Sequence, residues 1–97
     1  MKPSEALELY REGIRTVVER NGAKNPRVFG SVAQGIDTEA SDLDLLVDPV
    51  AGHTTLTSLV RIKREIEALT GVTADVLTPM ALHERFRQVV LLEARPL

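Results

Sequence analysis

The chain has 97 residues, 43% hydrophobic and 27% charged, with 12 Lys and Arg against 14 Asp and Glu. That composition reads as one globular domain, residues 1–97, and the formal charge of −2 excludes adhesion to nucleic acid by net charge. With no cysteine and no apolar run of membrane-spanning length, disulfides and thiolate metal sites are excluded, and a cytoplasmic protein is expected.

The first predicted element is a helix over residues 4–20, with Leu7, Tyr10, Ile14, Val17 and Val18 on one stripe. Ser4 is its expected N-cap and Asn21-Gly22 its stop. Asn25-Pro26 reads as a turn, and Arg27-Val28-Phe29 as a short strand running into Gly30. The small residues Ser31 to Gly35 suit one helical turn whose free N–H groups point back at the strand end. Ile36 to Ala40 reads as a polar loop, with Asp37 and Glu39 as solvated acids. A second strand follows over residues 42–47, closed by Asp48-Pro49.

Leu56, Leu59, Ile62, Ile66 and Leu69 mark a second long helix stopped by Gly71, with Arg61, Lys63 and Arg64 on its solvated side. Residues 72–77 form a third strand, placing Thr73, Asp75 and Leu77 on one face. Thr78-Pro79 is read as the cap and first residue of a last helix, with Leu82, Phe86, Val89 and Val90 as its stripe. The second long helix allows a parallel crossover between the second and third strands, while the short connection before it implies an antiparallel pair. The expected class is α/β (α+β): a small mixed sheet packed with helices. Three strands are few for such a sheet, and the C-terminus has room for a fourth.

Asp42 and Asp44 lie two apart on a strand, so they share a face, roughly 6–7 Å from each other. Leu46 continues that face as an apolar residue, which puts the acids at the mouth of a sheet with dry structure behind. Two such carboxylates and a third on a neighbouring strand, Asp75, can hold a pair of hard cations and the phosphates of a nucleotide. Gly30-Ser31 adds a backbone that approaches phosphate closely, N–H donors and one hydroxyl. His53 and His83 read as surface residues, since neither has a second ligand at helical spacing. Tyr10, Phe29 and Phe86 are the only aromatics, too few for a platform that stacks single strands.

Gly30-Ser31-x-x-x-Gly35, then Ser41-Asp42-x-Asp44-Leu45-x-Val47, resembles the signature of the DNA polymerase β-like nucleotidyltransferase superfamily. The shortness of the chain resembles its minimal nucleotidyltransferases, the MntA-like antitoxins of HEPN–MNT toxin–antitoxin pairs. The resemblance implies that Asp42, Asp44 and Asp75 bind two Mg²⁺ ions and carry catalysis. It implies that Gly30, Ser31, Gly35 and Ser41 face the nucleotide, with ATP as substrate. It implies a HEPN-domain toxin as partner in a hetero-oligomer, silenced by transfer of AMP onto a tyrosine. Many relatives carry basic residues after the Gly-Ser pair where this chain has Val32 and Gln34, which weakens neutralisation of a triphosphate. Two other readings stay open: an antitoxin that works by binding alone, and a transferase acting on a small molecule or an RNA end.

Overall fold

The computed structural model describes residues 1–97 as α1 (Pro3–Arg20), β1 (Ala23–Phe29), α2 (Gly30–Gln34), β2 (Leu43–Pro49), α3 (Leu56–Thr70) and β3 (Ala74–Leu77), followed by a 3-10 turn (Pro79–Ala81), α4 (Glu84–Glu93) and β4 (Arg95–Pro96). One mixed sheet has the strand order β3-β2-β1-β4. β1 is antiparallel to both β2 and β4, and β2 is parallel to β3. The expected α/β class, the antiparallel and parallel pairs and a fourth strand at the C-terminus are all present.

Alternation sorts the sheet into two faces. Val28, Leu43, Leu45, Val47, Ala74 and Val76 turn toward α1 and α3 and pack with Ile14, Val17, Val18, Ile62 and Ile66. Each fully buried aliphatic side chain of this layer contributes roughly 1.5–3 kcal/mol. Arg27 and Phe29 of β1, Asp44, Leu46 and Asp48 of β2, and Asp75 of β3 face the other way. Leu46 is fully buried there, because the Pro79–Ala81 turn meets β2 on this side. The sheet is thus sealed by helices on one face and roofed over only part of the other.

Several boundaries differ from the sequence reading, each for a local reason. Helix α1 starts at Pro3, not after Ser4: Glu5 accepts from Lys2 N–H at 2.9 Å, while Ser4 N–H donates to Asp37 Oδ2 at 2.8 Å. Asp37 is therefore a tether between the loop and α1, not a solvated acid. Burial pushes its carboxyl up, but hydrogen bonds from Ser4 outweigh that and hold it below its usual range. Asn25-Pro26 is no turn. β1 runs through it with a register shift, and Asn25 takes a left-handed φ of 53°. Asp48 remains inside β2, where Arg27 reaches it at 3.1 Å and Asn25 Nδ2 at 2.9 Å. Desolvation raises the Asp48 pKa, and these partners more than reverse it.

The last helix is the largest departure. Thr78-Pro79 opens only a 3-10 turn, closed by bonds from Ala81 N–H to Thr78 O and from Leu82 N–H to Pro79 O. Leu82 is extended, and His83 then caps α4 by accepting from Arg85 N–H at 3.0 Å. Only Leu82 of the expected stripe is buried; Phe86 and Val89 are exposed. On α3 the stripe is buried at Ile62 and Ile66, and Leu56 at the helix start is exposed.

Lys63 is not simply part of a solvated face. Its Nζ donates to Glu67 Oε2 at 2.9 Å and to Ala74 O at 2.6 Å, while Ala74 N–H donates to Glu67 at 3.0 Å. Thr73 O is turned inward to Leu43 N–H, so Ala74 turns its own N–H and C=O outward, onto the free edge of β3. Side chains from α3 thus occupy that edge. The Lys63 hydrogen bond, then that of Ala74, hold the Glu67 carboxyl below its ordinary range. Its contribution is present above that range and is lost as pH falls through the lowered value. We expect Glu67→Ala to cost about 1 kcal/mol at neutral pH, read by urea unfolding, with the cost shrinking on acidification.

Candidate active site

The site forms where β1 and β2 deliver their chain ends to the open face. Asp44 of β2 lies between Phe29 of β1 and Asp75 of β3, its direct Cα partners. Neighbouring strands stand about 4.8 Å apart, so Asp44 and Asp75 are adjacent on one face. Asp42 directly precedes β2, two residues from Asp44 and near enough for its charge to act on that carboxyl. The structure brings all three acids together. Asp42 and Asp75 are exposed and Asp44 is half-buried.

None of the three is in an ion pair within the chain. Desolvation, followed by the charges of Asp75 and then Asp42, raises Asp44 from 3.8 to about 6. Clustered carboxylates without a cation among them are a donor set of the kind that hard divalent cations take. No three acidic or histidine side chains converge on one point as they stand. The residues therefore fit such an ion in chemical type, while their side chains as they stand do not form its ligand geometry.

Gly30 is built into the same spot. It opens α2 with φ at 70°, and a Cβ placed on it would fall on Asp44 Oδ2 and stand 3.2 Å from Cγ. The missing side chain lets the backbone pass against the carboxylate, which puts the start of α2 beside the acids. Ser31 follows, half-buried, and no side chain caps this helix start. Its first N–H groups therefore lack intrahelical acceptors. Gly35 ends α2 in a left-handed conformation with open space around it. Its role in this structure is to end the helix, after which Ile36 leads to the Asp37 tether.

Ser41 is placed differently from the others. Its hydroxyl accepts from Thr38 N–H at 2.9 Å and its own N–H donates to Thr38 O at 3.0 Å, a small turn that leads the chain into Asp42. Val32 is half-buried against the core and Gln34 is exposed, so α2 offers no cation to the site. His53 is exposed, and its carbonyl accepts from Ser58. Sequence reasoning missed the roof. Arg87 donates to Pro79 O and Leu82 O, both at 3.0 Å, and so fastens the 3-10 turn to α4 above the open face. No repeating pattern signals that, although the bonds reach back only eight and five residues.

The two grooves of the molecule lie elsewhere. One, of about 520 Å³, runs between α1 and α3 past Gly13, Thr16 and Ala68; the other, of about 270 Å³, lies between α1, α2 and β4. Neither includes an acid of the cluster or the Gly30-Ser31 pair. The cluster stands on an open shelf.

Comparison with known proteins places this geometry. The family described as nucleotidyltransferase domain matches residues 11–97. A Methanocaldococcus jannaschii protein assigned as a protein adenylyltransferase is 37% identical over 78 residues, 80% of this chain and 83% of that protein. The protein adenylyltransferase MntA of Thermococcus cleftensis is 33% identical over 75 residues, 77% of this chain and 75% of that one. A solved structure described as a minimal nucleotidyltransferase superposes with a TM-score of 0.85 at 45% identity, covering 97% of this chain and 95% of that chain. A toxin–antitoxin crystal structure with AMP-PNP shares the fold at a TM-score of 0.73 and 17% identity, over 88% of this chain and 69% of that one.

Proposed function

The chain belongs to the nucleotidyltransferase domain family, and from that premise we propose that it transfers AMP from ATP to a hydroxyl of a protein partner. The observation that carries this reading is the shelf itself. Three carboxylates share one face, with Asp44 lying against a glycine that opens a helix. Acceptor oxygen attacks the α-phosphorus of ATP, the bond from that phosphorus to the pyrophosphate oxygen breaks, and pyrophosphate leaves. The acceptor proton passes to the carboxylate of Asp75, exposed at the edge of the cluster. Asp42, Asp44 and Asp75 would hold Mg²⁺, which when bound supplies charge neutralisation on the triphosphate and eases ionisation of the acceptor. Gly30 and Ser31 offer N–H groups to the phosphates, while Gly35 and Ser41 shape the loop on either side.

An open shelf favours a macromolecular acceptor over a small one, because small ligands are held in concave sites. The acceptor we propose is a tyrosine of a HEPN-type toxin that assembles with this chain as a hetero-oligomer, so that transfer silences the toxin and makes the chain its antitoxin. Names of the relatives support that direction: one is MntA, and a fold neighbour is a toxin–antitoxin complex. We place the protein in the cytoplasm and treat residues 1–97 as a single catalytic domain. A second reading, silencing by binding alone, is favoured by α2 lacking a cation to meet a triphosphate.

The test is to incubate the chain with the protein encoded beside it, ATP and Mg²⁺, and record intact masses of both. The partner should gain one or more AMP units with wild type and none with Asp44→Asn. A stable, silenced partner without added mass would select the binding-only reading.

A further inference from the structure

We propose that the outer face of α4 is the docking surface for the acceptor protein, seating an apolar helix across Phe86, Val89 and Leu92. This rests on the reading of the chain as a protein-modifying transferase. The helix is turned against the usual rule. Phe86, Val89 and Leu92, spaced three apart, are 58%, 53% and 83% exposed, and no residue of α4 is buried. Its less exposed side carries Val90 and Arg87, the latter fixed by two hydrogen bonds to the carbonyls of Pro79 and Leu82. Those bonds set the rotation of α4, so the apolar stripe is held outward by the fold.

The stripe runs about 9 Å along the helix and presents roughly 300 Å² of apolar surface. A stable pair of identical subunits needs about 800 Å² from each, so the stripe alone does not hold two copies together. It serves as the anchor of a wider footprint, and its neighbours say where that footprint extends. α4 packs on the 3-10 turn and on α2, whose first residue lies against Asp44. A protein seated on the stripe therefore borders the acid shelf, where no groove of this chain reaches. The ends of the stripe carry Arg85 and Glu93, both exposed and neither in an ion pair. They complement a partner helix with an acid facing Arg85 and a base facing Glu93.

The test uses the full chain with Val89→Ser/Leu92→Ser and, separately, Arg85→Glu, against the protein encoded beside it. Three quantities are measured: the rate of AMP transfer, partner binding by calorimetry, and the thermal shift given by ATP with Mg²⁺. The double variant should lower kcat/KM for the partner about thirtyfold or more, weaken binding in parallel and leave the thermal shift unchanged. Arg85→Glu should weaken binding more at low salt than at high. Unchanged transfer and binding in the double variant overturn the proposal, as does a wild-type homodimer that the double variant dissolves. Should wild type bind the partner without transferring AMP, the function proposed above fails. Binding then still decides the surface: lost in the double variant, it stands; kept, it falls. Wild type that neither binds nor modifies the partner overturns both.

Discussion

Asp44→Asn is expected to make the metal-free protein more stable while abolishing transfer. Folding puts the Asp44 carboxylate in a half-buried place beside Asp75 and Asp42, and its pKa rises from 3.8 to about 6. The folded state thus holds the proton more tightly than the unfolded chain. Stability falls as pH rises from about 4 to 6, and the whole penalty is present above that window. Two pKa units correspond to about 3 kcal/mol, and solvent access reduces this to roughly 1–2 kcal/mol. Asparagine keeps the shape without the charge, so its melting temperature at pH 7.5 should exceed wild type by about 5–10 °C. Near pH 3.5 the two should melt together. Asp37, Asp48 and Glu67 titrate alike in both proteins and drop out of the difference. Transfer to the partner should fall on the order of 10³-fold or more. A variant less stable than wild type at pH 7.5 would show that the acids do not strain the fold.

Gly30→Ala should be among the most damaging single-methyl changes in the chain. The left-handed φ costs an L-residue about 1–2 kcal/mol, and the new Cβ must also displace the Asp44 carboxylate. The sum is about 3 kcal/mol, measured by urea unfolding, together with loss of transfer. Gly35→Ala separates the two causes. Its φ is 74° but nothing lies within 4 Å of the added atom, so only the conformational cost of about 1 kcal/mol applies. Repeating Gly30→Ala on an Asp44→Ala background should recover much of the difference, since the clashing oxygen is gone. Equal costs at Gly30 and Gly35 would mean that the carboxylate moves aside freely.

The parts of this design that were legible in the sequence are those written in local period. Ile14, Val17 and Val18 on α1, and Ile62 and Ile66 on α3, announce helices because burial repeats every three or four residues. Asp42 and Asp44 could be expected on one face because alternation on a strand needs no tertiary information, whereas Asp75 reaches Asp44 only through the register of β3 on β2. What escaped depends on distant partners. A fourth strand could be expected at the C-terminus but not located, because β4 is two residues long, one of them Pro96, and is defined by its pairing with β1. Asn25-Pro26 carries every sign of a turn, yet pairing on both sides pulls it into a bulged strand. The stripe of Leu82, Phe86, Val89 and Val90 reads as core from spacing alone, yet only Leu82 is buried, because α4 begins after an extended break at Leu82. Gly30 was legible as a strand-end glycine whose backbone could approach a phosphate, but its contact with Asp44 was not.

The occupied edge of β3 bears on what the molecule does at high concentration. An open strand edge is a template on which further copies add without limit, and Lys63 and Glu67 cover this one at Ala74. The opposite edge is a strand of two residues, one of them a proline with no N–H to offer a newcomer. Growth by strand addition is therefore discouraged at both ends of the sheet. Crowded in a cell or concentrated in a tube, the protein should stay dispersed rather than form fibrils.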